Sequence, residues 1–147
     1  MPSRKQTNGG ISVFKGKQAM LNLAIFEILS KNSPLIIYDI TKLVKEQKFF
    51  SQLKPNIIGR RVKDLVSQGH LEKAGSRDTK PGPQGTLYQL TTRAQVALYY
   101  NIVSREKFLK EADEETLTAE LATLKLFLKK APRTQIPSFV KPSRHNV

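Results

Sequence analysis

The stretch Lys54-Pro55-Asn56-Ile57-Ile58-Gly59-Arg60-Arg61-Val62-Lys63-Asp64-Leu65-Val66-Ser67-Gln68-Gly69-His70-Leu71 reads as one amphipathic helix with punctuation at both ends. Pro55 suits a first helical position, where its missing N–H goes unneeded. Gly69 suits the left-handed residue that follows a helix running to Gln68. At about 100° per residue, Ile58, Val62, Leu65 and Val66 fall on one side, with Ile57 at its margin. The other side carries Asn56, Arg60, Lys63, Asp64 and Ser67. Gly59 lies at the edge, Lys54 precedes the helix and Arg61 flanks the apolar face.

Toward the C-terminus, residues 70–74 read as a strand. A charged, turn-rich loop of 11 residues, 75–85, follows and contains Lys80-Pro81-Gly82-Pro83. Residues 86–90 read as the return strand, and Thr91 or Thr92 caps a fourth helix through Ala94, Ala97, Leu98 and Ile102. Toward the N-terminus, residues 17–31 form a helix with Met20, Leu21, Ala24, Ile25, Ile28 and Leu29 at helical spacing. Ser33-Pro34 ends it. Residues 35–38 favour a short strand, and Asp39 is placed to cap a second helix that buries Ile40, Leu43 and Val44. Phe49 and Phe50, in the link to Pro55, are both expected to pack inward. The expected core includes Met20, Ile25, Leu43, Val62 and Leu90.

The order is therefore helix, short strand, helix, helix, strand, loop, strand, helix. It predicts a mainly α fold with a small β-wing: a winged helix-turn-helix over residues 17–104. In that arrangement the third helix occupies the place of the element that reads the DNA major groove.

The exposed face of that helix suits the task. Arg bonds guanine N7 and O6 bidentately, and Asn does the same for adenine N6 and N7. Asn56, Gly59 and Arg60, at the N-terminal end, are expected to reach deepest. Lys54, Lys63 and Ser67 extend the contact, with Lys63 on a phosphate. Asp64 is expected to orient Arg60 through their i, i+4 spacing. Arg77 and Lys80 in the wing loop are candidates for the backbone or the minor groove. The plainer account of such a helix is a solvated outer face.

Charge points the same way. The chain has 25 Lys+Arg against 12 Asp+Glu, a formal charge of +13, which fits a polyanionic partner. Residues 1–104 carry net +10, 105–130 are neutral and 131–147 carry +3. The neutral segment is rich in helix formers, and Leu117, Leu121, Leu124 and Leu128 fall on one stripe along it. Packing on its own domain and packing against a second copy both account for that stripe; the neutral charge favours the copy, since two +10 surfaces repel. Residues 1–16 read as a flexible basic arm, in which Ile11, Val13 and Phe14 are candidates to dock as an extended piece and Arg4-Lys5 is a candidate DNA contact. Residues 131–147 read as a basic tail with three prolines.

Several readings fall away. With no Cys, a disulfide scaffold, a thiol nucleophile and a Cys-ligated zinc site are excluded. His70 and His145 lie far apart, so no His-rich metal site is expected. There is no phosphate-cradling glycine loop and no His spaced for a catalytic triad. The chain reads as a non-enzyme without cofactor. No apolar run reaches the roughly 20 residues that span a bilayer, and the start lacks a secretory core, so a cytoplasmic protein without a membrane partner is expected.

Ser33-Pro34-Leu35-Ile36-Ile37-Tyr38-Asp39-Ile40 resembles the segment that opens the second helix of PadR-like transcriptional regulators. Leu65-Val66-Ser67-Gln68-Gly69-His70-Leu71 resembles the end of their recognition helix entering the wing. Leu87-Tyr88-Gln89-Leu90-Thr91 is similar to the return strand and the capping Thr. The resemblance spans residues 17–102. It implies a dimeric, repressor-like protein that binds a pseudo-palindromic operator in double-stranded DNA and dimerises through a C-terminal helix. It supplies no catalytic residue and defines no small-molecule effector. Two other functions fit the same residues: a winged helix used for protein–protein docking, and a non-specific binder of chromosomal DNA or RNA. The basic, polar face of the third helix favours a nucleic-acid reader over an apolar docking patch.

Overall fold

The computed structural model describes residues 10–78 and 85–130. They fall into two compact units that divide between Val103 and Ser104. In the first, α1 (Ala19–Lys31) is followed by β1 (Leu35–Ile36), α2 (Ile37–Lys45) and α3 (Pro55–Ser67). Then come β2 (Leu71–Arg77), β3 (Gly85–Leu90) and α4 (Thr92–Ile102). The three strands form an antiparallel sheet in the order β1-β3-β2. This is a winged helix-turn-helix, mainly α with a small β-wing.

α1 is the centre of the core because its apolar residues cover more than one face. Leu21, Ala24, Ile25, Phe26, Ile28 and Leu29 are all buried. Ile40 and Val44 of α2, Ile58, Val62 and Leu65 of α3, and Leu98 of α4 close around it. Each such side chain contributes roughly 1.5–3 kcal/mol when fully removed from water. Met20, expected in this core, is 58% exposed instead. It sits in the first turn of α1, on the side that no neighbouring element covers. Phe49 is 71% exposed while Phe50 is buried. A tight turn over Lys48–Phe50 sends the two rings in different directions, edge to face, so only one reaches the core.

Residues 10–16 belong to the folded unit and are not a loose arm. Ser12–Phe14 forms a 3-10 turn, not an extended piece, and Val13 is buried. Phe14 packs edge-on against Phe26 at 5.0 Å, and the Asn22 amide donates to the Val13 carbonyl at 2.8 Å. The Arg4-Lys5 pair, Lys80 and the tail 131–147 lie outside the described residues.

α2 begins at Ile37, with Ile36 at its cap position, so Asp39 is not the cap. Asp39 lies in the first turn, where a carboxylate is favoured by the helix dipole. The wing strands are longer than their composition suggests. β2 continues through Gly75 to Arg77 by means of a bulge: Lys73 pairs with Tyr88, but Ser76 pairs with Thr86. Gly75 has φ +117°, a conformation other residues rarely adopt, so it opens a bulge and not the loop. Gly69, at φ +86°, ends α3 as its position predicts. Thr91 is the cap of α4, accepting from the Ala94 N–H at 3.1 Å, and its hydroxyl donates to the Gly69 carbonyl at 2.8 Å.

The second unit contains two helices where one was expected. α5 (Arg105–Glu111) and α6 (Glu114–Lys130) are separated at Ala112 and Asp113. Asp113 starts α6 by accepting from the Thr116 N–H at 2.8 Å. Those hydrogen bonds to Thr116 hold its carboxyl below the usual aspartate range. The side-chain cap competes with a continuous helix, and here the cap wins.

Candidate nucleic-acid interface

α3 is held from behind. Ile58, Val62 and Leu65 are fully buried, so the opposite side of the helix is committed to solvent. Asn56, Arg60, Lys63 and Ser67 are exposed there and Gly59 is half-buried; Lys54 is exposed at the cap position. Asn56, Gly59, Arg60 and Lys63 line one groove of about 720 Å³. Its other wall comes from Ile37, Tyr38 and Thr41 of α2, with Pro55 at the end. Ser67 lies at the far end of α3, where its hydroxyl donates to the Asp64 carbonyl at 2.8 Å.

The electrostatics differ from the expectation at one residue. Asp64 pairs with Arg61, not with Arg60. Arg61 lies at the flank of the buried face, its side chain only 13% exposed, and Asp64 is its nearest counter-charge at i, i+3. A mostly buried guanidinium has more to gain from a partner than an exposed one. Among the described residues, Lys54, Arg60 and Lys63 therefore make no ion pair. The groove face keeps its positive charge uncompensated.

Tyr38 is a residue the sequence reading passed over. It is 72% exposed on the groove wall, within the first turn of α2. The signal was present: Ile37, Ile40 and Val44 define the inward side of α2, which sends Tyr38 outward. Arg77 is exposed at the end of β2, and its guanidinium donates to the Asp39 carboxylate at 3.0 Å. This bridge ties the wing to the first turn of α2.

His70 stands apart from the groove. Its ring lies 5.6 Å from that of Phe26, and its buried Nδ1 has no hydrogen-bond partner among the described residues. Burial, helped by the charge of Arg93, pushes its pKa below the ordinary value, so the ring is neutral near pH 7. Among the described residues no cluster of His, Asp or Glu is placed to hold a metal ion, and no helix is long and apolar enough to cross a membrane.

The four expected contact leucines lie along α6. Leu117 is half-buried, whereas Leu121, Leu124 and Leu128 are about half exposed, at 52%, 48% and 48%.

The fold and groove thus define the chain as a winged helix-turn-helix domain followed by a short helical unit. No family model matches the sequence, and no curated protein matches it. Among solved structures it is similar to Bacillus subtilis PadR in complex with operator DNA, at 19% identity and a TM-score of 0.49, over 83% of this chain and 81% of that one. It is also similar to diamide-treated YodB from B. subtilis, at 13% identity and a TM-score of 0.46, over 78% of this chain and 99% of that one. Wild-type MarR from E. coli, in its apo form, matches at 18% identity and a TM-score of 0.43, over 74% and 73% of the two chains.

Proposed function

We propose that this chain is a transcriptional regulator that binds double-stranded DNA in a sequence-specific manner. α3 enters the major groove, where Arg60 and Asn56 read base edges and Lys54, Lys63 and Ser67 hold the backbone. The wing, with Arg77 and Lys80, lies along the backbone or the minor groove. The observation that carries this reading is the uncompensated charge of Lys54, Arg60 and Lys63 on the one side of α3 that the core leaves free. Unpaired cations beside an Asn match both the phosphates and the base edges of a duplex.

The chain acts as a homodimer through the leucine stripe of α6, where Leu121, Leu124 and Leu128 stay about half exposed in a row, as contiguous apolar patches at interaction sites do. Two-fold symmetry then sets two half-sites about 34–36 Å apart.

The test is selection of bound duplexes from a random pool, followed by titration against salt. An enriched palindrome is expected. Log affinity is expected to fall linearly with log salt, with a slope of about −0.9 per phosphate neutralised. A pool that stays flat, or binding that ignores salt, refutes the reading and favours a docking or non-specific role.

A further inference from the structure

We infer that the groove between α2 and α3 is a thymine pocket: it takes the 5-methyl edge of a thymine in the bound duplex. The inference rests on the DNA-binding reading above and adds to it the identity of one base. Its starting point is a mismatch in the groove's own chemistry. The α3 side is cationic and polar, from Arg60, Lys63 and Asn56, but the facing wall and the end are largely apolar, from Ile37, the ring of Tyr38 and Pro55, with Thr41 beside them. A purely phosphate-binding surface needs no such apolar side, and the polar rim of a protein-binding groove has no need to carry charge of one sign only.

Duplex DNA supplies both complements at once. Its phosphates match the cationic side. Its major groove presents one apolar group, the thymine 5-methyl, against otherwise polar base edges. At about 720 Å³ the groove has volume for a base edge and not just a methyl group. Gly59 lines the groove opposite Ile37. A Cβ at this position would lie 3.6 Å from Ile37 Cγ2 and would narrow the groove there by one methyl without clashing. Arg60 and Asn56 flank the opening, so the thymine lies beside the base pairs they read. Among the described residues that line the groove, none is acidic, so none repels the strand.

The experiment replaces each thymine of the selected duplex in turn by uracil, which removes the methyl group and nothing else. At one position per half-site the wild type is expected to lose about fourfold in affinity, the equivalent of roughly 0.8 kcal/mol for one buried methyl-sized group. In Gly59→Ala, whose own methyl takes the space beside Ile37, the same swap is expected to cost less than twofold. Uracil that is neutral everywhere, with salt-dependent duplex binding intact, overturns the thymine pocket and leaves the DNA-binding reading standing. A uracil penalty that is undiminished in Gly59→Ala overturns the assignment to this groove. No duplex binding at all overturns both.

Discussion

Gly59→Ala separates what α3 needs in order to fold from what its outer face is for. Gly59 is an interior residue of α3 with no positive φ, so an alanine adopts its backbone without strain. Glycine at such a site costs roughly 0.8–1.0 kcal/mol relative to alanine, because more chain entropy is lost on ordering it. The added Cβ meets Ile37 Cγ2 at 3.6 Å, an ordinary van der Waals contact, and nothing else within 4 Å. No overpacking penalty offsets the gain. The variant should therefore be about 1 kcal/mol more stable than the wild type. For a unit of this size that corresponds to a rise of roughly 4–8 °C in Tm. Thermal and urea denaturation followed by far-UV circular dichroism measures it, with an unchanged urea dependence as the control for compactness. Duplex affinity should fall in the same variant, because the methyl occupies the groove. A lower midpoint would refute the packing described between α2 and α3. A more stable variant that binds selected DNA as well as the wild type would remove Gly59 from the interface.

Arg60→Ala should cost roughly 1–3 kcal/mol on the preferred duplex and relax discrimination at one base pair, whereas Lys80→Ala should weaken all duplexes about equally; identical behaviour in competition binding would refute the division into reader and anchor. The neutral state of His70 makes stability depend on pH. Its pKa is lower in the folded chain than the ordinary 6.5, so the unfolded chain takes up the proton first. Its contribution is complete above about pH 6.5 and is lost as the pH falls through the folded-state value. Urea midpoints of the wild type and His70→Gln, compared from about pH 7.5 to 5, should diverge on the acid side, and parallel curves would contradict the burial described. If the chain pairs through α6 as proposed, Leu121→Glu combined with Leu124→Glu should leave it monomeric with the winged helix folded, since charge in an apolar interface is costly. Sedimentation decides it: a monomeric wild type, or a double variant that unfolds, would place the stripe elsewhere in the energetics.

Much of the fold was legible because its signals act within one helical turn. Pro55 and Gly69 mark the ends of α3 through their own backbone preferences. The spacing of Ile58, Val62 and Leu65 assigns its buried face, and so by exclusion its outer face. Thr91 caps α4 from a position three residues from the N–H it satisfies. Sequence alone settled the ends and faces of α3 and narrowed the cap of α4 to Thr91 or Thr92, since the physics involved is local: torsional preference, helical periodicity and short-range capping.

Tertiary structure decided what depends on which surfaces meet. Asp39 and Arg77 are 38 residues apart, and only the pairing of β3 with both β1 and β2 brings the wing to α2. Asp64 could reach either Arg60 or Arg61 along the helix, and it pairs with Arg61, whose side chain is mostly buried. Phe49 and Phe50 are chemically alike; the turn at Lys48–Phe50 buries one and exposes the other. Gly75 signals a break in composition but opens a bulge, because hydrogen bonds to β3 resume beyond it. The groove itself follows the same rule. Arg60 and Lys63 were visible as charges on a helix, but Ile37 and Tyr38 became its apolar wall only when α2 packed against α3, and no local pattern carries that distance.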